Sequence, residues 1–139
     1  MANGRQKGAA FERLICKLLT DELGESFKFR HDLEQYRERQ HSDISCDEAN
    51  LPFAIECKRY ASGEVRPEWW SQAIEAAERA EKEPALVYKF DRKPIMVRLH
   101  IASLSSVWEM DHDLWCHVSW DNFIYLCREK LSDRTVYIK

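Results

Sequence analysis

The sequence predicts an α/β fold with a central mixed β-sheet flanked by helices, its elements in the order α-β-β-β-α-β. Three observations predict it. An amphipathic helical pattern opens the chain, segments of period-two hydrophobicity follow, and an alanine-rich helical pattern then stands between two such segments. Antiparallel strands can be joined by short turns, whereas a helix between strands is the usual crossover of a parallel pair. A helix, antiparallel strands and a crossover helix together imply a layered sheet of mixed direction.

The first helix is expected from about residue 6 to 23. Phe11, Leu14, Ile15, Leu18 and Glu22 fall at i, i+3, i+4, i+7 and i+11, and Leu19 and Leu23 widen the stripe. Gly24 supplies a stop just past the last apolar residue. Residues 26–30 alternate with Phe27 and Phe29 on one side, and residues 43–46 and 52–58 read as short strands. The charged stretch 31–42 lacks apolar periodicity and is expected to hold a hairpin loop. Pro67 suits the first turn of a second helix reaching about residue 82, which would bury Trp70, Ala73, Ile74, Ala77 and Ala80 before Pro84 ends it. Strands are expected at 85–90 and 95–102, separated by a turn at 91–94. The tail then offers a short strand at 116–120, a helix at about 121–130 and a final extended piece at 134–138.

At 139 residues the chain suits one domain, expected to span 1–139 with a core at about 5–100 and a C-terminal extension from about 103. An apolar share of 45% with 32% charged residues excludes a disordered chain, and no apolar run reaches the roughly 20 residues of a spanning helix. No secretory signal follows Met1, so a cytoplasmic setting is expected, with no membrane partner. The five cysteines have no C-x-x-C spacing and read as reduced thiols. Net charge is −3, which gives no general argument for nucleic-acid binding, but the charges are segregated. Arg5, Lys7, Arg13 and Lys17 crowd the first helix, and Lys89, Arg92, Lys93 and Arg98 gather later. One basic face can meet phosphates on a protein that is acidic overall; ordinary solvation explains the same charges.

The chemistry-bearing segment is Asp43-Ile44-Ser45 followed by Ile55-Glu56-Cys57-Lys58. Strand alternation puts Ala54, Glu56 and Lys58 on one face and Phe53, Ile55 and Cys57 on the other. If Asp43 begins the adjacent strand, two carboxylates converge beside an ammonium. Mg²⁺ prefers oxygen ligands and keeps several waters, so such a set suits metal-assisted phosphodiester cleavage. Lys58 could orient the attacking water or stabilise charge on the phosphate. Glu12, at about 100° per residue, lies between Leu19 and Leu23 on the flank of the apolar stripe. Gln72 has a comparable, weaker position about 40° beyond the alanine-rich edge of the second helix. Each piece alone has an ordinary explanation. An E-x-K strand is usually a solvated face, an aspartate before a strand is usually a turn residue, and Glu12 could be a helix-surface acid. Their joint arrangement, in this order, is what points to a site.

Lys7-Gly8-Ala9-Ala10-Phe11-Glu12-Arg13, Ser42-Asp43-Ile44 and Phe53-Ala54-Ile55-Glu56-Cys57-Lys58 resemble the PD-(D/E)XK nuclease superfamily. Within it, they look like archaeal and phage-type Holliday-junction resolvases. Ser42 stands where the signature has proline. The resemblance covers about residues 5–100 and implies a restriction-endonuclease-like core. It implies a Mg²⁺ site (Mn²⁺ as substitute) at Asp43 and Glu56, a supporting acid at Glu12 and a catalytic lysine at Lys58. It also implies a homodimer that nicks opposing strands of a four-way junction, in recombination or phage DNA processing in a host cytoplasm. Gln72 is a further catalytic candidate on its helical angle alone. Arg5, Lys7, Arg13, Arg37 and Arg39 are the expected phosphate contacts, which position a backbone without reading sequence. The aromatic tail, with Trp108, Trp115, Trp120, Phe123 and Tyr125, suits either an interface or a core.

Two other readings stand beside junction resolution: a nuclease of the same superfamily acting on ordinary or damaged duplex, and a non-catalytic nucleic-acid-binding module on that scaffold. His112, Cys116 and His117 could be offered as zinc ligands, but no second ligand pair accompanies them. No phosphate-cradling glycine loop or nucleophile elbow occurs, so no nucleotide cofactor is expected.

Overall fold

A computed structural model describes the backbone of residues 4–24, 29–31, 44–46 and 51–136, with side chains at 7–24 and 51–132. The elements are α1 (Gly4–Leu23), β1 (Phe29–His31), β2 (Ile44–Cys46), β3 (Phe53–Tyr60), α2 (Pro67–Ala80), β4 (Glu83–Phe90), β5 (Met96–His100), β6 (Trp115–Ser119) and α3 (Trp120–Val136). All six strands form one sheet in chain order; β3 and β4 are parallel and every other neighbouring pair is antiparallel. Among the described strands the parallel pair is the one α2 connects, as a crossover requires. The stretch expected to hold a hairpin loop lies mostly outside the described residues.

Alternation along the strands divides the interior between two faces. Phe53, Ile55, Cys57, Ala85, Val87, Val97 and Leu99 point to one face, where α1 and α3 bury Phe11, Ile15, Leu19, Phe123 and Cys127 against them. Leu86 and Tyr88 point to the other, under Trp69, Trp70 and Ala73 of α2. The stripe on α1 is rotated from the expected one: Leu14 is exposed while Glu12 is buried. α1 lies over β3 and touches α3, so its inward face is centred on Phe11, Ile15 and Leu19. The stripe on α2 is shifted in the same way, with Trp69 and Ala76 buried and Ala80 exposed.

Pro67 opens α2, where its missing N–H costs nothing. The helix stops before Pro84, through a left-handed Glu81 (φ 56°) whose N–H, with that of Lys82, caps the carbonyls of Glu78 and Ala77. Pro84 instead sits within β4, level with Ala54. β5 ends at His100 in a short 3₁₀ turn, Ile101–Ser103, tied to β4 by Ser103 Oγ donating to Glu83 Oε1 at 2.6 Å. β6 extends the sheet, so the tail adds a strand to the same layer.

The extended piece expected at 134–138 is corrected: α3 continues to Val136. Phe123, Ile124, Cys127 and Leu131 keep helical spacing against the core, and no Gly or Pro follows Trp120 to break it. The tail aromatics divide: Phe123 is fully buried against Phe53 and Trp120, whereas Trp108 and Tyr125 are exposed. Cys16, Cys116 and Cys127 are free thiols. Among the described residues no helix is long and apolar enough to cross a membrane.

Candidate active site

Glu56 and Lys58 project from β3 on the α2 face, level with Leu86 and Tyr88 of β4. The alternating apolar residues Ile55 and Cys57 are locked into the opposite core, which fixes the direction of the polar pair. Glu56 is buried at 8% exposure and Lys58 is half-buried. Glu12 is equally buried, at 7%, but comes from α1 and so approaches β3 from the other face. Its charge is felt locally: burial first, and the Glu12 carboxylate second, push the Cys16 thiol up to about 11. One helical turn before Glu12, Gly8 shares a cavity of about 420 Å³ with Lys7 and the end of β3, Cys57 to Tyr60. The cavity joins the head of α1 to Lys58.

Asp91, just past β4, organises the rim. It accepts from Lys7 Nζ at 3.3 Å and also pairs with Arg59. The Arg59 and Lys7 hydrogen bonds together hold its carboxyl below the usual carboxylate range. Lys7, Lys58 and Arg59 therefore surround one opening, a setting suited to phosphate oxygens. Sequence reasoning missed Arg59 and Asp91. Arg59 was visible as the next residue after the E-x-K, but nothing in the sequence links it to an acid 32 positions on.

The remaining expected residues are scattered. Gln72 is exposed on α2 and lines neither this cavity nor the larger one beside α2. Arg13 is exposed on α1, and Arg5 lies in the first turns of α1 with its side chain outside the described residues. Asp43, Arg37 and Arg39 lie outside the described residues altogether. The zinc alternative is not supported among the described residues, where no three His, Cys, Asp or Glu side chains could hold a metal. Alternation explains it: Cys116 pairs with Leu99 on the α1 face, while His117 lies on the α2 face and bonds Tyr88 and Arg98. Glu56 beside Lys58 and Glu12 across β3 are buried carboxylates, and carboxylate oxygen is the donor type Mg²⁺ prefers.

Among solved structures, the chain is similar to Hjc, a Holliday junction resolvase from the archaeal hyperthermophile Archaeoglobus fulgidus, at 16% identity. The match covers 81% of this chain and 86% of that one, with a TM-score of 0.46. No curated protein matches the chain. The profile of a family described as "Phage putative PDDEXK endonuclease" matches residues 3–138. With nearly its whole length matched, the chain belongs to this PDDEXK endonuclease family, and its α-β-β-β-α-β core is the restriction-endonuclease-like fold.

Proposed function

We propose that this protein is a Mg²⁺-dependent DNA endonuclease, selective for branched structure, that resolves four-way junctions by paired nicks as a homodimer. The observation that carries the reading is the buried Glu56 beside Lys58 on one face of β3, in a chain of the PDDEXK endonuclease family. Covalent connectivity supports Asp43 as the partner acid. It is bonded to Ile44, Ile44 pairs with Ile55, and Ile55 is bonded to Glu56.

Asp43 and Glu56 would hold the cation, with Glu12 in support. Bound there, Mg²⁺ would polarise the scissile phosphate and activate a water for attack. Lys58 donates to the phosphate oxygens and offsets charge that builds during cleavage. The basic rim, Lys7 and Arg59 with Asp91 holding them in place, steers and seats the backbone without reading sequence. Junction selectivity rests on the Lys7-Gly8-Ala9-Ala10-Phe11-Glu12-Arg13 opening, whose Glu12 is buried and whose Lys7 and Gly8 line the cavity. Two matched nicks need two matched sites, which a two-fold dimer supplies. The exposed Trp108 and Tyr125 of the tail are available to such an interface.

The test is cleavage of a synthetic four-way junction beside linear duplex, flap and fork of matched sequence, with Mg²⁺, Mn²⁺ and Ca²⁺. Paired nicks across the junction with Mg²⁺ or Mn²⁺, and binding with little cutting in Ca²⁺, are expected. Equal cutting of plain duplex would overturn junction selectivity, and absence of cutting with every metal would overturn the enzyme. A monomer at working concentration would rule out paired nicking.

A further inference from the structure

The α2 face of the sheet holds a second cavity, of about 860 Å³, that the nuclease chemistry does not use. It opens beside the first turns of α2, with Trp70 on one side and Arg98 and His117 of β5 and β6 on the other. Arg98 is buried at 7% exposure, yet it forms no ion pair with any carboxylate among the described residues. A buried guanidinium is costly unless its charge is compensated. Here two indoles compensate in part: the guanidinium lies 3.7 Å from the Trp115 ring centroid and 5.6 Å from that of Trp70. Such contacts hold a cation but leave its N–H groups unsatisfied.

The hydrogen bonds decide what those groups offer. Arg98 Nε–H can only donate, and it reaches His117 Nε2 at 3.0 Å. His117 is therefore neutral, carries its proton on Nδ1, and donates it to the Tyr88 hydroxyl oxygen at 2.7 Å. Burial and the Arg98 charge, which hold His117 below the ordinary imidazole value, agree with this tautomer. Tyr88 thus keeps its own O–H to donate. The Nη groups of Arg98 make no hydrogen bond among the described residues and are not sealed from the cavity. Two donors converge on a space walled by rings, while the acids of its lining, Glu64 and Asp113, are exposed to solvent.

We propose that this cavity binds one nucleotide unit of an unpaired DNA strand, its phosphate on Arg98 and Tyr88 and its base against the indoles of Trp70 and Trp115. An arginine fork matches a phosphate bidentately, and aromatic walls accept any base. The volume falls within the roughly 300–1,000 Å³ of small-ligand pockets. The identity of the strand as DNA rests on the nuclease reading. Position favours it: Glu56, Leu86, Arg98 and His117 occupy one cross-strand row of a single face. Two strand spacings of about 4.8 Å separate Arg98 from Glu56, close enough for one short strand to meet both. Ring contacts also run unbroken from Tyr60 in the first cavity through Trp69, Phe90, Tyr88 and His117 to Trp115 in the second.

The experiment titrates the full chain with thymidine 5′-monophosphate, a thymidine tetranucleotide, thymidine and inorganic phosphate, read by intrinsic tryptophan fluorescence and calorimetry. Saturable binding of the phosphate-bearing nucleotides is expected, with Arg98→Gln weakening it by about tenfold or more, the worth of one charge-assisted hydrogen bond. Tetranucleotide binding well above that of the mononucleotide identifies a DNA strand as the occupant; equal affinities identify a free nucleotide and overturn the strand assignment. Trp115→Ala, at an exposed position, and Tyr88→Phe give the same readout if Arg98→Gln fails to fold. Failure of every phosphate-bearing probe to bind, or binding unchanged in all variants that melt like wild type, overturns the site. A chain that cuts no DNA yet binds the tetranucleotide through Arg98 would sink the nuclease reading and leave the cavity standing. Normal cutting with no such binding would do the reverse.

Discussion

The Lys7 ammonium at the head of α1 lies 3.3 Å from the carboxylate of Asp91, 84 residues further along the chain. Arg59 of β3 shares the same carboxylate, so one acid ties α1, β3 and the end of β4 around the opening next to Lys58. Removing Asp91 should therefore loosen the rim as well as the surface. Its folded pKa is depressed, so its contribution is present above the unfolded value of about 3.9 and is lost as pH falls through the folded value. Asp91→Asn should be less stable than wild type near neutrality, and the two denaturation curves should converge in acid. A constant gap down to the lowest pH would contradict the pairing.

Glu56→Gln and Lys58→Met should each lower the cleavage rate by about 10² or more, the scale seen when one charge-stabilising group is removed. Asp43→Asn should behave like Glu56→Gln. Binding of a four-way junction, measured by gel shift, should survive all three. Undiminished cutting by both carboxamide variants would remove the assignment of the site.

Cys16 reports on Glu12. The two are one turn apart on α1, and burial with the Glu12 charge places the thiol at about 11. The alkylation rate of Cys16, followed by peptide mass mapping, should reach its midpoint near that value. Glu12→Gln removes one of the two causes and should move the midpoint down. An unmoved midpoint would mean that the Glu12 carboxylate is not beside the thiol.

Acidification should destabilise the fold through two histidines. Burial and His112 hold His100 below the ordinary imidazole value, against a smaller opposing pull from Glu83 and Asp111. His100 Nδ1 also has no hydrogen-bond partner among the described residues, so a proton added there has nothing to meet. His117 is lowered by burial and Arg98. With folded values below the unfolded value of about 6.5, the unfolded chain takes up more protons as pH falls. Stability from these groups is thus present above about pH 6.5 and lost below it. The urea midpoint should fall across that window, and His100→Gln should flatten part of the fall.

Phe123→Ala should cost about 3–5 kcal/mol, because the ring is fully buried 5.2 Å from that of Phe53 and nothing can fill its space. Tyr125→Ala, two residues on and exposed, should change stability by less than about 0.5 kcal/mol. Similar losses from both would mean that α3 is not docked as described.

The sequence by itself determined what periodicity and covalent spacing encode. The order of helices and strands through β5, the division of β3 into an apolar and a polar face, and the pairing of Glu56 with Lys58 all follow from alternation within one element. Local rules ran out where neighbours decide. Leu14 is exposed although its helical pattern puts it in the apolar stripe, and Glu12, expected on the flank of that stripe, is buried, because the inward face of α1 is set by where β3 and α3 lie. The tail aromatics carry no label for core or surface, and only packing against Phe53 sends Phe123 inward while Tyr125 faces water. Residues 134–136 continue α3 because no Gly or Pro interrupts the helix begun at Trp120, whatever their strand-like composition. The rim of Lys7, Arg59 and Asp91, and the donors of Arg98 and Tyr88, join residues far apart in the chain. Such pairings exist only once the sheet has fixed their registers, because a salt bridge or a shared hydrogen-bond partner has no signature in the spacing of residues along the chain.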